Sequence, residues 1–223
     1  MSRDNLINSS PQKPLLLFMA MIGNDVCSSK VTGRTTPDEY HENMLQSILE
    51  LDPRLPKGTK VVLIPLVDGR ILFDTMHDLI HPIGQLHQDV TYKNFYDYLN
   101  CLEISPCAGW MNSNKTIRDN LSGIAAAMSS KLPLIITETR GKLKNIQLFF
   151  LGDVLNDAMK LFLSQGGRAS DLIEPSDGFH PSQMGNALLA EYIWNATVDA
   201  GIIPPPNPNN DKIRARFFPD EVS

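Results

Sequence analysis

The longest apolar run of the chain is LLLFMAMI at residues 15–22, and Gly23-Asn24-Asp25 ends it. It is far short of the roughly 18 residues a membrane span needs, but it has the length of a strand. A run apolar at every position, rather than at alternate ones, suits a strand buried on both faces of a parallel sheet. Two further segments read the same way: KVVLIPLV at 60–67 and IQLFFL at 146–151. Pro65 has no N–H for a ladder, so pairing should thin there.

Helical periods lie between the strands. Thr36-Pro37-Asp38-Glu39 has the form of a capping box with proline at the first helical position. The helix after it places Tyr40, Met44, Ile48 and Leu51 on one face, and Pro53, Pro56 and Gly58 stop it. A second helix is predicted over 116–129, with Ile117, Leu121, Ile124 and Met128 as its apolar face. A third follows Asp153 as a cap, carries Leu155, Met159 and Phe162, and closes at Gly166-Gly167. The last begins near Ser182 with Met184, Leu188 and Tyr192. Strands alternating with helices predict an α/β fold with a parallel sheet covered on both faces, and active sites of such sheets lie at the carboxyl ends of the strands. Residues 68–113 fit no regular period and are too long for a connection, so they read as a functional insertion. Residues 1–14 read as a linker or severed connection, and 201–223 as an irregular Pro/Asn-rich tail.

A net charge of −5 argues against nucleic acid as the main partner. The polar N-terminus, MSRDNLINSSPQKP, has no signal-peptide pattern. Cys27, Cys101 and Cys107 make an odd number, which in a secreted chain means one internal bridge and one thiol paired elsewhere. In a cytosolic chain they would be three ordinary thiols. Sequons at Asn8, Asn114, Asn120 and Asn195 lean toward secretion.

Asp177-x-x-His180-Pro181 is the first candidate for chemistry. An imidazole is a suitable base for a serine hydroxyl when a carboxylate fixes its tautomer. A spacing of three in a loop can hold both groups close. Taken alone, Asp177 capping a turn beside a surface His180 is the simpler reading. Asp74-x-x-His77 and Asp78-x-x-His81-Pro82 share the spacing. His77-Asp78-x-x-His81 also imitates a zinc-protease helix, which would make a metal hydrolase, but Pro82 and Gly84 shorten any helix there. A structural or substrate-facing role therefore suits His77 and His81 better than a metal. Asn24 stands at a strand end, where an amide N–H can stabilise an oxyanion, and Gly23 before it permits close backbone approach. Gly-Asn-Asp is equally a good turn composition.

Together, Ile22-Gly23-Asn24-Asp25 and the late Asp177-x-x-His180-Pro181 resemble the third and fifth blocks of the SGNH (GDSL-type) hydrolases. The glycine departs by one residue from that family's Gly-x-Asn-Asp. AMIGNDVC (20–27), HPIGQL (81–86), YLNCLEISPCAGWMNSNKT (98–116) and LIEPSDGFHPSQ (172–183) further resemble the acyloxyacyl hydrolase family, from about Leu15 to about Trp194. The resemblance implies a flavodoxin-like three-layer fold, with 15–200 as a partial domain whose first strands lie upstream. It implies Asn24 as oxyanion donor, His180 as general base and acid, and Asp177 as its orienting partner. The substrate would be lipopolysaccharide, whose lipid A loses secondary acyl chains. Cys27 would pair with Cys107, leaving Cys101 for a disulfide to a saposin-like small subunit. No cofactor falls on this chain, since calcium ligands would lie upstream. Gly-Asp-Ser, the family's nucleophile block, is absent; Gly152-Asp153 is followed by Val154, and Ser9 and Ser10 lie in a polar linker. The expectation is a piece of a secreted or vesicular, lysosomal enzyme, with Met1 internal and the signal peptide and serine upstream. A short form that binds acyl or glycolipid ligands without catalysis is the alternative.

Overall fold

The computed structural model describes residues 13–203 and 209–217. Three strands, β1 (Leu16–Met19), β2 (Thr59–Leu63) and β3 (Ile146–Phe150), form a parallel sheet in the order β1-β2-β3. Leu17 pairs with Val61, and Val61 with Leu148. Val61, Val62 and Leu63 of the middle strand are fully buried. β2 ends before Pro65, where the ladder would lose a donor. β1 is not buried on both faces: Leu16 and Phe18 are 37% and 40% exposed. Among the described residues it has one neighbour, β2, and alternate side chains face outward.

Eight helices accompany the sheet among the described residues: α1 (Ile22–Val26), α2 (Pro37–Leu51), α3 (Arg70–Met76), α4 (Tyr92–Cys101), α5 (Lys115–Thr139), α6 (Val154–Ser164), α7 (Gln183–Asp199) and α8 (Asn210–Phe217). On one side of the sheet α2 and α5 bury Tyr40, Met44, Ile48, Leu121, Met128 and Leu132 against Val61 and Leu63. On the other side Val62, Ile64 and Ile202 meet Phe149, Leu155 and Ile193. This is the three-layer α/β arrangement with a parallel sheet.

α2 starts at the expected box, with the Thr36 hydroxyl accepting from the Glu39 amide and the Glu39 carboxylate accepting from the Thr36 amide. α5 runs a further ten residues beyond the expected 116–129, through Pro133. A helix-interior proline costs about 3 kcal/mol. Leu132 and Ile135, almost wholly buried, return about 1.5–3 kcal/mol each, so the helix continues. Asp153 does not cap α6 with its side chain; its carboxylate accepts from the Asn156 amide group instead. In α7 the expected face is rotated. Met184 is half exposed, while Gly185 is buried against the Leu172 carbonyl, too close for any Cβ.

Residues 68–113 are not an irregular insertion. They fold into α3, α4 and a 3-10 turn (Pro82–Gly84), and they place Tyr92, Tyr96, Trp110 and Met111 in the main core. Thr91 and Asn94 close a capping box on α4. The expected irregular tail at 201–223 contains α8, whose residues 210–217 carry no proline. Most of the expected linker at 1–14, with Ser9, Ser10 and the sequon at Asn8, lies outside the described residues.

Candidate active site

Past β1 the chain turns directly into α1. Ile22 and Val26, one helical turn apart, are buried and pin this short helix to the core. Gly23 faces Leu66 just beyond β2, and the Asn24 side chain stands exposed at the carboxyl end of β1. A disulfide joins Cys27, at the end of α1, to the fully buried Cys107, and the Ala108 amide donates to the Ser28 carbonyl at 2.9 Å. Cys101 is free and exposed.

The loop between the 3-10 turn Ala169–Leu172 and α7 carries the other candidates. It is a narrow hairpin. Ile173 bridges to Pro181, and the Glu174 amide donates to the His180 carbonyl at 2.8 Å. Gly178 turns the chain at φ +63°, a left-handed conformation that suits glycine. Asp177 does two things at once. Its Oδ1 accepts from the amides of Phe179 (2.8 Å) and His180 (3.1 Å), capping the turn. Its Oδ2 lies 2.6 Å from His180 Nδ1. The turn-capping and imidazole-orienting readings are therefore both true of this side chain. Burial alone would raise the Asp177 pKa, but His180 and the two amides hold it below the usual carboxylate range. With Nδ1–H donating to the ionised Asp177, the lone pair of His180 sits on Nε2, and the ring is largely exposed.

The loop rests on side chains from the 68–113 region. Tyr92 Oη donates to the Pro175 carbonyl and Tyr96 Oη to that of Gly178, each at 2.6 Å. His81 Nε2 lies 3.2 Å from the Ser176 carbonyl. His81 is 2% exposed, so its expected substrate-facing role is corrected: it is a core residue, its ring stacked on Phe95 and edge-on to Tyr92. His77 follows the last residue of α3. It stacks on Phe73, with Nδ1 near the Phe73 carbonyl and Nε2 near Asp78. The two imidazoles do not share a helix face, because α3 ends at Met76 and Pro82 starts the next turn. Among the described residues no three His, Cys, Asp or Glu side chains gather to hold a cation.

A cleft of about 730 Å³ opens at the carboxyl ends of β2 and β3, between α5 and α6. Leu66, Ala126, Pro133 and Phe150 give it an apolar wall. At its rim Trp110 Nε1 donates to Ser122, Ser122 to Asp68, and Arg70 pairs with Asp68 and Asp119. Burial pulls the Asp68 pKa up, but Arg70 and Ser122 outweigh it and keep the carboxylate ionised. The structure brings Asp177 and His180 together; Asn24 shares no hydrogen bond with them. The sequence reading missed Tyr92, Tyr96 and the Asp68–Arg70 cluster. The Thr91-x-x-Asn94 cap, with tyrosines four apart after it, was the available signal for the first two.

The sequence matches the family described as GDSL-like Lipase/Acylhydrolase over residues 2–193. It is similar to acyloxyacyl hydrolase of Homo sapiens, 42% identical over 184 residues, covering 81% of this chain and 32% of that protein. It is also similar to acyloxyacyl hydrolase of Mus musculus (40% over 190 residues, 84% and 33%) and of Oryctolagus cuniculus (38% over 198 residues, 87% and 33%). The chain spans about a third of the length of the curated relatives it matches.

Proposed function

The chain belongs to the GDSL-like lipase/acylhydrolase family, and from that premise we propose that it carries the acid–base half of a serine esterase of the acyloxyacyl hydrolase type. The observation that carries this reading is the 2.6 Å contact between Asp177 Oδ2 and His180 Nδ1, in a loop placed before α7. The nucleophilic serine comes from a segment outside this sequence, which holds no Gly-Asp-Ser. His180 Nε2 takes the proton as that serine attacks the acyl carbonyl, then returns it to the departing alkoxide. Water, activated by the same nitrogen, next releases the fatty acid from the serine. Asp177 keeps the imidazole in the productive tautomer and stabilises the imidazolium. Asn24 donates its amide N–H to the oxyanion.

The substrate is a secondary fatty acyl ester, as on the lipid A of lipopolysaccharide; the relatives' name supports this. A secreted or lysosomal setting is supported by the Cys27–Cys107 disulfide and by the exposed sequon residues Asn114, Asn120 and Asn195. Cys101, free and exposed, is available for a disulfide to a saposin-like small subunit.

The test fuses residues 1–223 to the part of the human relative that this chain does not cover and measures fatty-acid release from an acyloxyacyl ester. The unfused chain should give only background. In the fusion, His180→Gln should lower kcat by about 10³-fold or more. Asn24→Ala should lower it by about 10²-fold. Turnover unchanged by His180→Gln would overturn the assignment.

A further inference from the structure

The geometry points to Tyr92, Tyr96 and His81 as positioning residues that clamp the main chain around Asp177 and so aim His180. This rests on the reading of Asp177 and His180 as the catalytic pair. Within the four residues 175–178, three carbonyl oxygens each meet a different side chain of one segment: Pro175 meets Tyr92 (2.6 Å), Ser176 meets His81 (3.2 Å) and Gly178 meets Tyr96 (2.6 Å). The contacts fall on both sides of Asp177. All three donors are almost wholly buried, at 3%, 2% and 0% exposure, so water hardly competes for the carbonyls.

The proton positions follow from the partners. His81 Nδ1 accepts from the Ile83 amide at 3.2 Å, so in the neutral ring the proton is on Nε2, facing Ser176. Burial, then the neighbouring acidic groups, raises the pKa of both tyrosines, so they stay donors throughout the working range. Gly178 shows how tightly the loop is seated. A Cβ there would lie 2.6 Å from Tyr96 Oη and 2.7 Å from the Tyr92 ring.

The segment that bears the donors is itself braced. Ile80 bridges to Thr91, the His81 amide donates to Val90, the Tyr92 amide donates to Leu79, and Gly84 packs on the Val90 backbone with no room for a side chain. A rigid platform of this kind holds the Asp177 carboxylate against His180 Nδ1 before any substrate arrives. None of the three donors contacts the His180 ring, so they act through the loop.

Tyr92→Phe and Tyr96→Phe remove only the hydroxyls and keep the packed rings. In the 223-residue chain carrying Phe18→Lys, which limits association at β1, long-range proton–nitrogen NMR of the His180 ring, in mildly alkaline buffer, reports which nitrogen carries the proton. Asp177→Ala gives the value for the unheld ring. Tyr96→Phe should move the Nδ1–H fraction toward that value. It should also speed amide exchange at Phe179 and His180 by about 10-fold, while amides of β2 keep their protection. The double variant should go further. A double variant with the wild-type tautomer ratio and wild-type exchange in the loop would overturn the proposal. If the double variant loses protection in β2, the single variants decide by the same two readings. Neither reading needs ester turnover, so a failed esterase assay leaves this test intact.

Discussion

At the scale of single residues, His81 shows how much a histidine's meaning depends on what surrounds it. Its ring is buried and accepts a backbone N–H at Nδ1, and burial lowers its pKa, partly offset by the Ser176 carbonyl. A protonated His81 would place an N–H against the Ile83 N–H. The folded-state pKa thus lies below the ordinary 6.5, and the unfolded chain takes up the proton first. The stability tied to neutral His81 is present above that value and is lost as pH falls through the lowered one. Melting temperatures measured across this range should decline on acidification, and His81→Asn should flatten part of the decline. Equal slopes in the two proteins would count against this. The sequence singled out Asp177 and His180 through the resemblance to the SGNH hydrolases, and the structure brings the two side chains within 2.6 Å. It misplaced His81, whose Asp78-x-x-His81-Pro82 setting copies the same spacing. Burial and the partner at Nδ1 separate the two: His180 meets its carboxylate while His81 meets the Ile83 amide, and the burial is decided by Tyr92 and Phe95 eleven and fourteen residues away.

Among the elements, β3 depends on one carboxylate from far away in sequence. Asp52, 7% exposed at the end of α2, accepts from the amides of Lys144, Asn145 and Ile146, each at 2.9 Å. Burial would raise its pKa, yet the three amides and Lys144 hold it below the ordinary carboxylate value. Asp52→Ala leaves three donors at the start of a strand without their acceptor. The expected loss is about 3 kcal/mol, or roughly 10 °C in a chain of this size, measured by urea and thermal unfolding. A loss under about 1 kcal/mol would mean that water serves the amides equally well. No local pattern announces such a contact. The long periodic elements were legible, and α2 was read to its cap. The stretch at 68–113 was not, because α3 has only seven residues and α4 takes its stability from aromatic burial rather than from an aliphatic stripe.

At the scale of the whole molecule, β1 has a neighbour on one side only among the described residues. Leu16 and Phe18 are exposed, and the strand carries neither charge nor proline to discourage pairing with another chain. Residues 1–223 alone should self-associate and bind ANS. Phe18→Lys should reduce both, read by sedimentation and fluorescence. A monomer that melts cooperatively with little ANS binding would show that this edge is protected. The three-layer plan itself followed from the apolar runs and the helical periods between them.

Gly178 leaves a mark on descent. It has no space for a side chain because Tyr92 and Tyr96 occupy that space, and its φ of +63° disfavours one besides. Position 178 lies more than eighty residues from 92 and 96, yet the three are not free to drift separately. A lineage that gains bulk at 178 must first surrender a ring at 92 or 96, and with it a hydrogen bond to the loop. These codons should be inherited as one block even where the sequence around them has diverged.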